Sequence, residues 1–158
     1  MGENKVKKIF FVASEAQPFF ASGGLGDVIG SLPKRILKNA KGEFEVSVIL
    51  PLYAKLNQAY KNKLIYIGQT TTKLSWRNQY CGIFKYEENG VKYYFIDNEY
   101  YFNGFTPYGD VKWDIEKFSF FSKAALCILP AVGFQPDILH CHDLSLIHIS
   151  EPTRHLRI

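Results

Sequence analysis

Lys8-Ile-Phe-Phe-Val-Ala13 and, a few residues later, Ser22-Gly23-Gly24-Leu25-Gly26-Asp27 decide the architecture of this chain. The first string is a short apolar run rich in β-formers and bounded by polar residues, the pattern of a strand covered on both faces. Beyond the glycines, Val28, Ile29, Leu32, Ile36 and Leu37 recur at helical spacing. Pro33 falls inside that run, so a kink or a late helix start is expected. Glu45-Val-Ser-Val-Ile-Leu50 reads as a second buried strand, stopped by Pro51. Strand, helix and strand in this order make a βαβ crossover, which requires the two strands to run parallel.

Further along, the pattern changes. Leu64 to Trp76 and Gln79 to Tyr86 are strand-like, and Asn89-Gly90 supplies a turn before Val91 to Ile96, so a β-meander or hairpin insertion is expected. Aromatic residues crowd Tyr93 to Tyr108, where Gly104, Pro107 and Gly109 argue for a loop able to present rings to a ligand. A helix is expected from about Asp114, with Ile115, Phe118, Phe121, Ala125 and Ile128 on one face, before Pro130 and Gly133 end it. Asp137-Ile-Leu-His-Cys-His-Asp143 reads as a short strand with polar residues at its carboxyl end. In an open α/β sheet that end lines the ligand crevice.

A strand that passes through paired glycines into a helix leaves backbone amides pointing outward at the positive end of the helix dipole, where anions bind. The spacing is not G-x-G-x-x-G, and Pro51 stands where an acidic ribose ligand would follow the second strand, so a dinucleotide site is disfavoured. His140 and His142 share a side of their strand, but two histidines make an incomplete zinc shell. No metal site is expected. The three cysteines, Cys81, Cys127 and Cys141, have no CxxC spacing and suggest neither a disulfide framework nor zinc; Cys127 and Cys141 are expected to pack as small hydrophobes.

The string Ser14-Glu15-Ala16-Gln17-Pro18-Phe19-Phe20-Ala21-Ser22-Gly23-Gly24-Leu25-Gly26-Asp27-Val28-Ile29-Gly30-Ser31-Leu32-Pro33 resembles the start of glycogen and starch synthases along its whole length. Asp97-Asn98-Glu99-Tyr100-Tyr101-Phe102, the DIEKFSFF segment from Asp114 to Phe121, and His140-Cys141-His142-Asp143 are similar to later segments of that family. The resemblance implies the Rossmann-like N-terminal half of a GT-B glycosyltransferase, an α/β fold with a mostly parallel sheet and a β-hairpin insertion. It implies transfer of glucose from ADP-glucose, with retention, to the non-reducing end of an α-1,4-glucan. On that basis Ser22, Gly23, Gly24 and Leu25 are expected at the donor phosphates. Tyr100, Tyr101, Phe102, Asn103, Asp114, His142 and Asp143 are expected to contact glucan or sugar. Catalytic residues and the nucleotide-base pocket are expected in a C-terminal domain, no metal or cofactor is implied, and the isolated fragment is expected to be inactive.

Three departures from the family stand out. Ala21 occupies the place of its lysine, Lys117 the place of its usual arginine, and from Leu144 to Ile158 the text LSLIHISEPTRHLRI no longer follows the family. Residues 1–143 are therefore expected to form a truncated catalytic domain and 144–158 a foreign tail. Two rival readings remain: a stand-alone glucan-binding module, and another GT-B transferase with a different nucleotide sugar.

Length and composition agree with one globular domain: 158 residues, 47% hydrophobic and 22% charged, can bury one sizeable core. The net charge of +4 comes from scattered lysines rather than a basic stripe, so no nucleic-acid partner is expected. The apolar run after Lys8 is broken at Ser14 and Glu15, too short for a signal peptide or membrane span; a cytoplasmic protein without a membrane partner is expected.

Overall fold

The computed structural model describes residues 5–104 and 108–142. Among the described residues, six strands form one sheet in the order β3-β4-β5-β2-β1-β6. β1 (Lys7–Val12) pairs in parallel with β2 (Phe44–Pro51) on one side and β6 (Ile138–Cys141) on the other, and β2 pairs in parallel with β5 (Val91–Asp97). β5 then turns back antiparallel onto β4 (Arg77–Glu88), and β4 onto β3 (Ile65–Leu74). The expected meander is present, but its third strand belongs to the parallel group, so the hairpin extends the main sheet. Asn89 and Gly90, with φ of 52° and 78°, make the tight connection between β4 and β5.

Strand alternation divides the core into two layers. Ile9, Phe11, Val46, Val48, Leu50, Tyr93 and Phe95 face α1 (Gly24–Asn39) and pack with Ile29, Leu25, Leu32, Ile36 and Leu37. Phe10, Val12, Ile49, Tyr94 and Ile96 face the opposite way, against Phe118, Phe120, Phe121, Ala124 and Ala125 of α4 (Val111–Cys127). Two short helical turns, α2 (Gln58–Lys61) and α3 (Glu99–Phe102), follow β2 and β5.

The chain leaves β1 through α1 towards β2 on one side, and later reaches β6 on the other. The order therefore reverses between β1 and β6, and the crevice beyond their carboxyl ends is where open α/β sheets bind ligands.

Several local expectations are corrected. α1 starts at Gly24 and carries Pro33 as a buried residue inside it, so the helix start is not delayed. α4 begins earlier than Asp114, because the Asp110 side chain accepts from the Trp113 amide and caps the helix. Ile115 is 61% exposed, since the buried stripe runs through Phe118 and Phe121 without it. Cys127 is exposed and Cys141 half-buried; Cys81 is the buried thiol, and burial pushes it up to about 12.

Candidate functional site

The turn between β1 and α1 is organised by Glu15. This residue is 3% exposed, and its Oε2 accepts from the Ser22 amide at 2.8 Å and the Ser22 hydroxyl at 2.6 Å, while Oε1 accepts from the Gly26 amide at 3.2 Å. One carboxylate thus ties the entrance of the glycine turn to the third residue of α1, serving as the cap that Gly23 cannot provide from a side chain. Asn57 and Gly26 complete the frame: the Gln17 amide donates to the Gly26 carbonyl, and the Asn57 amide to the Phe19 carbonyl, both at 2.9 Å. Phe19 is locked edge-on against Tyr60, Tyr86, Tyr93 and Phe95.

The four glycines here separate into two pairs. A Cβ on Gly26 would lie 2.2 Å from the Ala21 Cβ, and one on Gly30 would lie 2.8 Å from the Gln17 carbonyl oxygen, so the fold requires glycine at both for the loop to lie on the helix. Among the described residues, a Cβ on Gly24 would meet nothing within 4 Å, and on Gly23 only a Glu15 oxygen at 3.9 Å. Gly23 is in extended backbone that any residue adopts, and Gly24 is in ordinary helix. Packing among the described residues gives no reason for glycine at these two positions. Both are exposed, and the amides of Gly23, Gly24 and Leu25 have no hydrogen-bond partner among the described residues. Ser22, by contrast, has both its amide and its hydroxyl hydrogen directed to Glu15, so of the four expected donor-phosphate residues only Gly23, Gly24 and Leu25 present unoccupied amides.

His142 lies across the switch point. Its amide donates to the Val12 carbonyl at 2.9 Å, extending the β1–β6 pairing to the end of β1. The His140 and His142 rings are 4.2 Å apart and both lie against Phe11, at 4.9 and 5.7 Å. Burial, and then the neighbouring His140, lower His142 to about 4, so its ring is neutral near pH 7 and able both to donate and to accept. Its Nε2 has no partner among the described residues. No cluster of three or more metal-ligating side chains occurs among the described residues.

The aromatic segment reaches the same end of the sheet through Tyr108, whose hydroxyl is 2.7 Å from the buried Ser14 hydroxyl at the end of β1. Asp114 fastens that segment: Oδ2 accepts from the Gly109 amide at 2.8 Å, and Oδ1 binds the buried Lys117 ammonium at 2.6 Å. Both of its oxygens are engaged by the chain itself. Tyr101 and Phe102, expected at the glucan, are each 2% exposed and belong to the α4-side core; Tyr101 stacks on Phe120 at 4.7 Å and donates to Glu116 at 2.9 Å. A one-turn helix turns these two rings inward and leaves Tyr100, 59% exposed, and Asn103 at the surface. Asp143 lies outside the described residues. The capping role of Glu15 was missed from sequence; its place seven residues before Ser22 gave no helical or strand periodicity to mark it.

Comparison with known proteins gives one answer. Residues 8–149 match the family described as the starch synthase catalytic domain. The chain is 52% identical over 138 residues to a glycogen synthase from Lachnoclostridium phytofermentans and 51% identical over 138 residues to one from Lachnospira eligens. Each alignment covers 87% of this chain and 28% of the relative, so the chain spans little more than a quarter of those proteins. The catalytic domain of starch synthase IV from Arabidopsis thaliana, bound to ADP and acarbose, superimposes with a TM-score of 0.80 at 28% identity, covering 96% of this chain and 31% of that one. This agreement extends the α/β, Rossmann-like reading to the GT-B architecture of that domain, and the chain belongs to the starch synthase catalytic domain family.

Proposed function

We propose that this chain is the opening part of an ADP-glucose-dependent glycogen or starch synthase, which transfers glucose with retention to the non-reducing end of an α-1,4-glucan. The observation that supports it most is the pair Gly23 and Gly24, whose lack of side chains is unexplained by packing among the described residues and whose amides, with that of Leu25, have no partner among those residues at a helix N-terminus beside the switch point. A diphosphate placed there would accept from all three amides. In the transfer itself the bond from the glucosyl C1 to the phosphate oxygen breaks, a glucan hydroxyl takes its place on the same face, and its proton leaves with the phosphate. Charge building on the departing phosphate is what fixed amides at a helix end stabilise. Neutral His142, with an unpartnered Nε2, is suited to holding a sugar hydroxyl, and Tyr100 and Asn103 to the glucan.

Since relatives are several times longer, residues 1–143 are proposed as one part of a larger catalytic unit, with 144–158 outside its continuous fold, although the family match itself runs on to 149. The nucleotide base and catalytic groups would come from the remainder, and the 158-residue chain alone would not turn over ADP-glucose. A cytoplasmic setting without nucleic-acid or membrane partners belongs to the same proposal; no helix among the described residues is long and apolar enough to cross a membrane.

The test is an ADP titration of the isotopically labelled chain followed by amide NMR. Movement of the Gly23, Gly24 and Leu25 signals supports the reading. Unmoved signals at all three, in millimolar ADP, would sink it.

A further inference from the structure

Lys117 lies within α4 and is only 2% exposed, yet it carries an ammonium. Withdrawing such a charge from water is costly unless a counter-charge and hydrogen bonds meet it. Asp114, three residues earlier and so on the same helix face, supplies both: its Oδ1 lies 2.6 Å from the Lys117 Nζ, and the Phe118 ring lies 5.0 Å from the same ammonium. Apolar side chains of similar volume would serve stability at such a position as well or better. The pair is therefore explained by a geometry that it fixes.

With Oδ1 held by the ammonium, Oδ2 of the same carboxylate accepts from the Gly109 amide at 2.8 Å. Gly109 directly follows Tyr108, so this bond sets where the phenol is carried. The Tyr108 ring lies against Phe118 with centroids 5.7 Å apart, and its hydroxyl is 2.7 Å from that of Ser14. Ser14 stands two residues beyond the end of β1 and next to Glu15, whose carboxylate organises the glycine turn. Tyr108 is 38% exposed, which leaves part of the phenol open at the rim of the crevice. Lys117 is buried and both Asp114 oxygens are taken, so these two residues touch the segment that bears Tyr108 rather than a ligand.

We infer that Lys117 and Asp114 are positioning residues for the crevice: their buried pair fixes the Gly109 amide and, through it, presents the Tyr108 phenol beside the glycine turn to a bound sugar nucleotide. The choice of a sugar nucleotide as ligand rests on the glycogen synthase reading above. The pose of Tyr108 does not, because it is set by contacts within the chain. Removing the pair should therefore act on ligand binding only as far as it displaces Tyr108.

The experiment follows the full 158-residue chain by NMR, first without ligand and then in a titration with ADP-glucose. The double variant Asp114→Leu/Lys117→Met removes both charges together; it should keep a denaturant midpoint close to that of the unaltered chain but lose the Tyr108–Ser14 contact and shift the Gly109 amide. Should it unfold, Asp114→Asn carries the same test, because its one carbonyl goes to the ammonium and a donor is left facing Gly109. Tyr108→Ala should weaken ADP-glucose binding about three- to tenfold, the worth of one aromatic contact, and the charge-removing variants should match it. Combining Tyr108→Ala with either should add nothing further, since residues that act through one another are not additive. Three results would overturn the proposal: an undisturbed Tyr108–Ser14 contact in the variants, ADP-glucose binding unaltered by them, or losses that multiply when the changes are combined. In the unaltered chain, Tyr108 signals that respond to ADP-glucose while those of Gly23 to Leu25 stay still would sink the donor-turn reading alone. The reverse pattern would sink this one alone.

Discussion

Glu15 and Ser22 are joined twice, by amide and by hydroxyl, to a single carboxylate oxygen, and the other oxygen of Glu15 holds Gly26. A buried negative charge therefore stands beside a turn that we assign to an anion. Coulomb repulsion alone predicts that removing the charge helps ADP bind. Geometry predicts the opposite, because only a carboxylate offers acceptors in both directions; the amide of glutamine must point a donor at Ser22 or at Gly26. Hydrogen bonds to a charged acceptor contribute about 1.5–3 kcal/mol. We expect Glu15→Gln to lose about 1–3 kcal/mol of stability in denaturant melts and to weaken ADP binding. Tighter ADP binding by Glu15→Gln would show that repulsion dominates.

The two pairs of glycines make a paired prediction. Gly26→Ala drives a methyl into the Ala21 Cβ and towards backbone, an overpacking that costs about 1–3 kcal/mol and shifts the whole loop. Gly24→Ala meets no atom of the described residues within 4 Å, and at a compatible helical position such a change stabilises by about 0.4–1 kcal/mol. Yet it should weaken ADP binding, because the added methyl occupies the approach to the free amides. A Gly24→Ala protein that is both stable and unaltered in ADP binding would remove the central argument for the site.

How much of this could be read in the sequence follows from the range of the forces involved. β1, β2 and the turn into α1 were legible because alternation, glycine spacing and helical periodicity are local. The inward rotation of Tyr101 was not. It depends on Phe120 and Glu116, about a helix away in sequence, and on a single helical turn too short to leave a periodic signature. The same holds for Ile115: at correct spacing, it still sits past the edge of what the sheet can cover. Family resemblance pointed to the aromatic segment as a whole, while packing decided that Tyr101 and Phe102 turn inward and Tyr100 stays exposed.

Tyr101 therefore supports a test of fold against recognition. Its hydroxyl shares Glu116 Oε1 with Arg77, whose guanidinium lies 2.7 Å away. Tyr101→Phe keeps the stacking ring and leaves Glu116 with its arginine, so the expected cost is about 0.5–1.5 kcal/mol. Glucan retardation in affinity electrophoresis should be unchanged, whereas Tyr100→Ala should lower it without a comparable loss of stability. Reduced retardation of Tyr101→Phe at full stability would restore that residue to the glucan surface.

His142 should impose a pH dependence with a defined sign. Its folded value of about 4 lies below the ordinary 6.5, so the unfolded chain binds the proton more readily than the folded one. Stability is then fully present above about 6.5 and falls as pH drops towards 4. Burial is the larger cause and His140 the second, so His140→Ala should raise the NMR-measured value for His142 only partway back. Titration of His142 near 6.5 in the unaltered chain would contradict its half-buried position on Phe11.

The final prediction concerns position 21, where the resemblance to glycogen and starch synthases implies a lysine and this chain has alanine. The Ala21 Cβ points at the N-terminal turn of α1, directly above Gly26. Ala21 is only half-buried, so a longer side chain can leave this position without disturbing the packed methylene at its base. An ammonium carried there would add a charge-assisted contact to phosphate oxygens that otherwise rest on backbone amides. At a partly exposed site we discount its worth to about 1–1.5 kcal/mol, or roughly tenfold in affinity. Ala21→Lys should therefore tighten ADP binding by about that factor at low salt, with the gain shrinking as ionic strength rises. A gain insensitive to salt would point to reshaped backbone rather than charge. No gain at all would mean that the phosphates do not approach this end of the helix.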